Sequence, residues 1–552
     1  MNRLELLQGC WPSIQNRKSK IENWYKPHAA WAHHINLNPS SYNARWSKIA
    51  SNPLLFFWLE PVIAIAPDSI AHIPGPQPLP VIGKTLNAWR YGRDSITYAS
   101  HLFNTYGNVV SLAAGGGTNF YSPLPHCPGT VIAYGADVVR EVTTQHEVFY
   151  KQPISGTLYR LKDQSPRSEP LKHFGVGLFG INSQQHLQTR KLMMPAFHHK
   201  QIATYRDDMV AIARSMIDRI PCGEPFDFSA TMRLLTMRIA TKTLFGDDIH
   251  EAGGAVGKLI QDILNLLGNA VLLPVDLPGL PYHRMLTLMQ QLDDQMRTII
   301  ERKRQSDTET PDVLSMLLSA RDAETGLTLS EDELLGHAGV IFTAGHETSS
   351  NALTWTIFLL SQHPDIAADL HDELDHVLQG AAPTVEQLQQ LPLLDKVVKE
   401  SLRIIPPAPW NGRVTSRPTE LTGRPLPTGT EVIVSIYHTH HHADLFPNPD
   451  AFDPHRWDEI NPSPYEYNPF SAGPRTCIGA AFAMMEIKLI LAMLLQRYRF
   501  QPVGDRPVDR SGFIVITPKG GLPLVAHLQD RNFQQGVGGI RGNVRDMVNL
   551  PD

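Results

Sequence analysis

Ten residues toward the C-terminal end constrain the chain most: Phe470-Ser-Ala-Gly473-Pro-Arg475-Thr-Cys477-Ile-Gly479. The pattern F-x-x-G-x-R-x-C-x-G surrounds one cysteine with positions that each have a physical use. The apolar run Ile478 to Met485 reads as a helix start. Cys477 would then stand at a helix N-terminus, where free backbone N–H groups and the helix dipole stabilise a thiolate. Gly473 allows a tight turn with positive φ, and Gly479 allows the helix to approach a flat macrocycle closely. Arg475 can grip a carboxylate with two donors. Phe470 can shield the sulfur from water and oxidation. A buried structural cysteine needs none of these neighbours.

The remaining composition narrows the class. The chain has 552 residues, 42% of them hydrophobic and 19% charged, with a formal net charge of -5. A sizeable core can be buried, and bulk disorder is excluded on composition. No long Lys/Arg run is present, so a nucleic-acid partner is not indicated. Cys10, Cys127, Cys222 and Cys477 are scattered without a C-x-x-C pair. That spacing argues against a disulfide framework or zinc site and fits a reducing, cytoplasmic setting.

Residues 1–72 read as an N-terminal extension without a sustained helical period. Within it, the apolar stretch 53–66 is interrupted by Glu60 and Pro61. It is shorter than the ~20 residues that span a bilayer. It suits either packing on the domain or a peripheral membrane contact. The proline-rich Ile73-Pro-Gly-Pro-Gln-Pro-Leu-Pro80 holds the backbone extended. A single large domain is expected over 73–529, followed by a polar, glycine-containing, flexible tail over 530–552. Helical patterns dominate from about 204 to 403, with β-rich runs at 109–112, 130–133, 431–437 and 513–517. The expected class is therefore mainly α with small β-sheets (α+β). Thr384 with Gln387, and Ser330 with Glu333, read as capping boxes.

The second box opens a long apolar helix pattern running to about Gln362. Inside it lies Ala344-Gly345-His346-Glu347-Thr348. Glycine in a helix interior costs about 1 kcal/mol against alanine. Thr348 can bond the Ala344 carbonyl and open the helix locally. Gly345 removes a side chain where a flat cofactor and O₂ would need room. Further on, Glu400-Ser-Leu-Arg403 places opposite charges on one helix face ahead of Pro406-Pro407.

Together these strings resemble the cytochrome P-450 family of haem-thiolate monooxygenases. The resemblance covers about residues 73–527, through ordered motifs at 344–348, 400–403, 452–457 and 470–479. It implies the P-450 fold around a buried haem b, with Cys477 as the axial iron ligand. A thiolate ligand favours cleavage of an O–O bond. Phe470, Gly473, Arg475, Gly479, Ala344 and Gly345 would line the cofactor, and Arg475 would meet a propionate. His186 and Arg190 stand where the family has a W-x-x-x-R helix, and Arg413 where it often has another propionate-binding residue. Thr348 and Glu347 would be catalytic, holding oxygen at the reacting centre and helping to bring in protons. Glu400, Arg403 and Arg456 would form a buried structural network. His455 and Trp457 depart there from the family's Glu and Phe.

The implied reaction inserts one atom of O₂ into a small apolar substrate, fatty-acid-like or terpenoid-like. Ile341, Phe342, Ala344, Ala408 and Trp410 are candidate pocket residues. No flavin or iron–sulfur segment is visible. A separate donor, either ferredoxin with its reductase or a flavoprotein reductase, would supply electrons over the thiolate side, near Lys191 and Lys488. Two other readings stay open on sequence: a thiolate-haem isomerase, dehydratase or peroxygenase, and a non-enzymatic haem sensor. The histidines at 438 and 440–442 read as surface loop residues rather than a metal site.

Overall fold

The computed structural model describes residues 70–552 apart from 79–84, 113–115, 119, 123, 125–126, 153–164, 247–255, 261, 264–265, 267–269, 271–274, 306–311, 505 and 513. The chain divides into two units, Met1–Ala66 and Pro67–Asp552. Only the second is described. The expected extension over 1–72 lies outside the described residues except for Ile70–His72, and its apolar stretch lies wholly outside.

The fold is predominantly helical. The helices that position the site are α1 (Glu169–Val176), α2 (Ser183–Met193), α3 (Phe228–Phe245), α4 (Pro281–Gln305), α5 (Glu331–Ser361), α6 (Pro392–Ile404), α7 (Ile436–His440) and α8 (Ala480–Arg497). α5 is the axis of the molecule: its 31 residues span about 46 Å at 1.5 Å per residue. Its start is fixed locally. The Ser330 hydroxyl accepts from the Glu333 N–H, and the Glu333 carboxylate accepts from the Ser330 N–H. Three acidic residues in the first turn oppose the helix dipole favourably. The helix ends at His363-Pro364, because a residue before proline avoids helical geometry. α3, α1, α6 and α8 pack around α5. The Thr236 hydroxyl of α3 donates to the His346 carbonyl of α5 at 2.8 Å.

Beside the helices lies a five-stranded sheet built from β1 (Val109–Ser111), β2 (Thr130–Ala133), β3 (Phe149–Tyr150), β5 (Trp410–Thr415) and β6 (Glu431–Ser435). The order is β1-β2-β6-β5-β3, with β2 and β6 parallel in the register Val131 to Val432. β2 and β6 are buried along their whole length, as apolar β-branched runs require. Glu431 is the exception in that run. Its buried carboxylate accepts from the N–H groups of Tyr121 and Ser122 and from the hydroxyls of Thr118 and Thr130. A second sheet pairs β4 (Pro225–Asp227) and β7 (Tyr498–Pro502) on either side of β10 (Pro523–Leu528). A short hairpin pairs β8 (Arg510–Ser511) with β9 (Thr517–Pro518).

Three expectations are corrected here. No strand runs through 514–516. The Ile516 N–H donates to the Pro407 carbonyl and its own carbonyl accepts from the Trp355 indole, so those groups leave the ladder. The segment 530–552 is not a loose tail: Ile540, Val544, Met547, Val548 and Leu550 are buried in the main core. The histidines at 438, 440 and 441 are not surface loop residues either, whereas His442 is half-exposed in the loop after α7. His438 and His440 lie on α7, and His440 is fully buried, its Nε2 accepting from the Asn468 N–H at 3.0 Å. Burial pushes His438 and His441 down to about 3, so they are neutral hydrogen-bonding groups. Among the described residues no cluster of His, Cys, Asp or Glu could hold a metal ion, and no helix is long and apolar enough to cross a membrane.

Candidate active site

Cys477 is held by its own loop. Its N–H donates to the Phe470 carbonyl at 2.8 Å, and its carbonyl receives the Ala480 N–H at the start of α8. The turn before it depends on Gly473, with φ of +67°, where an added Cβ would lie 2.6 Å from the Thr143 carbonyl oxygen. Ser471 has a φ of +62°, and its hydroxyl oxygen accepts from the Asn411 side-chain amide at 3.0 Å. Burial pushes the Cys477 thiol up, while the Gly479 N–H and the charges on Arg190 and Lys151 oppose that shift. A thiol in this setting is deprotonated outright once a metal coordinates it.

Around the cysteine the chain gathers basic groups with no acid to match them. Lys151, His186, Arg190, Arg413 and Arg475 lie within electrostatic reach of one another or of Cys477. Lys151 is pushed down to about 7, first by burial and then by Arg413 and Arg475. His186 is pushed down to about 3 by burial and by Arg475, Arg190, His146 and Arg413. Arg413 falls to about 9 and Arg475 to about 10, burial leading in both cases. No carboxylate pairs with any of the five among the described residues. His186 Nδ1 and Arg475 Nε are buried without hydrogen-bond partners. Unpaired buried charge of one sign is costly. The donor set fits a bound group that brings anionic carboxylates.

Arg475 is anchored through its terminal nitrogens. Its Nη2 donates to the Ile181 carbonyl at 2.6 Å and to Asn182 Oδ1 at 2.7 Å, and its Nη1 to the Leu178 carbonyl. That leaves Nε and the second N–H of Nη1 for a bound group. Arg413 spends Nη1 on Asn411 Oδ1 and on the Gly412 carbonyl.

Within its buried middle, α5 has a half-exposed stretch. Ile341, Thr343, Ala344, Gly345, Glu347 and Thr348 are half-exposed, while Val340, Phe342, His346 and Ser349 are buried. The spacing 341, 344, 345, 348 is one helix face. A Cβ added to Gly345 or to Gly479 would meet nothing within 4 Å. Room for a flat macrocycle therefore exists on both helices, and the residues present fit haem. The Thr348 hydroxyl donates to the Ala344 carbonyl at 2.7 Å. The helix nevertheless stays continuous from Glu331 to Ser361, so the expected local opening is absent. Burial raises the Glu347 carboxyl, and Arg233 of α3 opposes the shift.

The structural network is complete. Arg403 Nε and Nη2 donate to Glu400 Oε2 and Oε1, both at 2.9 Å, and Arg456 Nε donates to Glu400 Oε1 at 2.9 Å. The Trp457 indole and the Asp453 N–H add two further donors to the same carboxylate.

Two pocket candidates are buried in side-chain packing, and both docking candidates carry ion pairs. Phe342 is fully buried against Phe245, and Trp410 is buried, its indole donating to the Ser95 hydroxyl. Lys191 pairs with Asp322 and Glu324, and Lys488 with Asp395. The residues that sequence reasoning missed are Lys151, Arg233 and Glu486. Glu486 follows the cysteine loop on α8, is buried, and has Oε2 without a partner. A charged residue inside an apolar helix run was the available signal for it.

Comparison with known proteins gives the same assignment. The family model described as Cytochrome P450 matches residues 73–525. The chain is 31% identical over 463 residues to a cyclooctat-9-en-7-ol 5-monooxygenase of Streptomyces melanosporofaciens, covering 82% of this chain and 94% of that protein. It is also 31% identical over 444 residues to a pentalenene oxygenase of Streptomyces avermitilis, covering 78% of this chain and 93% of that one. Among solved structures it is similar to a retinoic acid-bound cyanobacterial CYP120A1, with a TM-score of 0.70, 25% identity, and coverage of 83% and 99%. The chain belongs to the cytochrome P450 family and is a P450 monooxygenase.

Proposed function

We propose that this monooxygenase hydroxylates a terpenoid-like apolar small molecule bound against the Ile341–Thr348 face of α5, using electrons from a separate protein donor. Support for this reading comes from two observations: the half-exposed window on α5 that holds Gly345 and Thr348, and the basic groups around Cys477, which no carboxylate pairs with among the described residues. Haem b, when bound through Cys477, supplies the binding and reductive activation of O₂.

The chain's own residues do the rest. His186 Nδ1, Arg190, Arg475 Nε and Lys151 would hold the propionates, with Arg413 behind them. Glu347, raised by burial, keeps its proton to higher pH than an exposed glutamate and can pass it toward Thr348. The Thr348 hydroxyl can turn from the Ala344 carbonyl to hold a water or a proton at the reacting oxygen. Arg233 restrains the Glu347 shift and so keeps that carboxyl able to reload. Ile341 and Ala344 present apolar surface to the substrate and keep bulk water out. One oxygen atom enters the substrate and the other leaves as water, consuming two protons and two electrons.

The substrate class draws support from the relatives named for oxygenating cyclooctat-9-en-7-ol and pentalenene, and from the neighbour described with retinoic acid. A titration of the haem-loaded protein with terpenoid-like ligands and with straight-chain fatty acids, read by the spectral shift of water displacement, tests it. Tighter binding of the terpenoid-like set is expected. Tighter binding of the fatty acids overturns the substrate class. Turnover that needs an added ferredoxin or flavoprotein reductase is expected, and turnover with NADPH alone overturns the separate donor.

A further inference from the structure

The family match ends at residue 525, yet the last residues of the chain are tied to three parts of the molecule. One tie is to the end of the central helix. Gln362, which closes α5, donates its amide to the Gly536 carbonyl and accepts from the Gly538 N–H at 2.9 Å. Another is to α7 and the loop after it. His441 Nε2 meets the Met547 carbonyl, and the Asn549 N–H donates to the Asp450 carbonyl at 2.7 Å.

The densest tie is to the hairpin β8–β9. The Val508 N–H donates to the Arg541 carbonyl at 2.7 Å, and the Val544 N–H returns to the Val508 carbonyl. The Asn543 side chain then takes both backbone groups of Arg510: Oδ1 accepts its N–H at 2.7 Å, and Nδ2 donates to its carbonyl at 3.4 Å. The Asn543 N–H donates to Asp509 Oδ1 at 2.9 Å. Gly542 makes this approach feasible: its φ is +111°, and a Cβ there would sit 2.4 Å from the Val508 carbonyl oxygen. The Arg545 guanidinium closes the segment on itself through the carbonyls of Ile540, Leu550 and Pro551.

The far end of that hairpin is bonded to α5 and to the segment that carries the pocket candidate Ala408. The Ile516 N–H donates to the Pro407 carbonyl, next to half-exposed Ala408, and its carbonyl accepts from Trp355 on α5. The Gly512 carbonyl accepts from the Ser95 hydroxyl, which in turn accepts from the Trp410 indole. The hairpin base is thus fixed by the C-terminal segment and its tip by the segment 407–410 and by α5.

We propose that residues 530–552 form a strap that positions the 508–518 hairpin against the substrate pocket, and that Asn543 is the positioning residue through which the strap sets which ligands the pocket admits. This rests on the pocket reading given above.

The test compares Asn543→Ala with Arg531→Ala in the haem-loaded, full-length protein. Arg531 lies in the same strap, but its guanidinium pairs with the exposed Asp372 rather than with the hairpin. Amide hydrogen exchange is followed across the chain, and dissociation constants are measured for imidazole and for a bulkier phenyl-substituted imidazole by their spectral shifts. In Asn543→Ala, exchange at Arg510, Ser511 and Thr517 should quicken about tenfold while most core amides stay unchanged. The ratio of the two azole affinities should change about fivefold or more in the same variant and stay level in Arg531→Ala.

Unchanged exchange at the hairpin overturns the strap's hold. Acceleration spread evenly over the protein overturns it too, since that is lost global stability. Faster hairpin exchange with an unchanged azole ratio overturns the link to the pocket. If neither azole shifts the spectrum of the unsubstituted protein, the haem reading fails and the pocket part falls with it, while exchange still decides the hold on the hairpin.

Discussion

Arg403 donates two hydrogen bonds of 2.9 Å to Glu400, one turn earlier on the same helix, and neither side chain reaches solvent. A pair at this spacing on a surface is worth ~0.2–0.5 kcal/mol. Here Arg403 also holds the His440 and Ala451 carbonyls, so it ties α6 to the loop that precedes the cysteine string. Arg403→Ala would strand the buried carboxylate and cost about 3–5 kcal/mol. The expected outcome is a poor yield of folded, haem-loaded protein and an unfolding midpoint well below that of the parent. A variant with the parent's midpoint and haem content would contradict the network.

Trp457 stands where the family has Phe, and its indole reaches Glu400 Oε2 at 3.1 Å while its ring packs edge-on against Tyr467. Trp457→Phe keeps a ring and loses the donor. A hydrogen bond to a charged group is worth about 1.5–3 kcal/mol, so denaturant unfolding should show a loss of that size. A neutral result would mean that the remaining donors satisfy Glu400 alone.

Glu486 gives a pH signature. Burial pushes its carboxyl from 4.5 up to about 8, with Ser349 opposing. The raised value means that the folded state holds a proton which the unfolded chain gives up above about 4.5. The stability it confers is full below that pH, falls as pH rises toward 8, and is level beyond. Glu486→Gln removes the titration. The variant should gain roughly 2–4 kcal/mol relative to the parent between pH 5 and pH 8. A stability difference that does not change across this range would show that the carboxyl ionises normally.

Thr348→Ala should separate electron use from product formation. A small residue in a helix interior leaves the fold intact, and the lost hydroxyl is the group that meets Ala344 across the window. NADPH consumption with a surrogate donor should continue while hydrogen peroxide replaces hydroxylated product. Unchanged coupling would remove Thr348 from the mechanism.

What the sequence made legible was local. Ser330 with Glu333 and Thr384 with Gln387 form the capping boxes their spacing requires, because all the partners lie within one turn. The positive φ at Gly473 and the Thr348 bond to Ala344 follow from the same short range. What the sequence did not show is long-range. Glu431 finds its donors more than 300 residues away. The histidines of α7 look polar in sequence, yet tertiary packing buries them. The terminal segment reads as a tail by its glycines, while its apolar residues at 540, 544, 547, 548 and 550 show their purpose only where the core receives them. Lys151 and Arg475 could not be apportioned from sequence, because their roles depend on which carbonyls Arg475 has already taken.

The claim on which all of this depends is that Cys477 carries the haem. The direct measurement is the absorption spectrum of the reduced protein with carbon monoxide, for the parent and for Cys477→Ala, Cys127→Ala and Cys222→Ala. Cys127 is buried with its sulfur on the Gly129 carbonyl, and Cys222 is an exposed free cysteine. The parent and the last two variants should show the long-wavelength band of a thiolate-ligated haem, and Cys477→Ala should lack it. The same band persisting in Cys477→Ala would contradict the account.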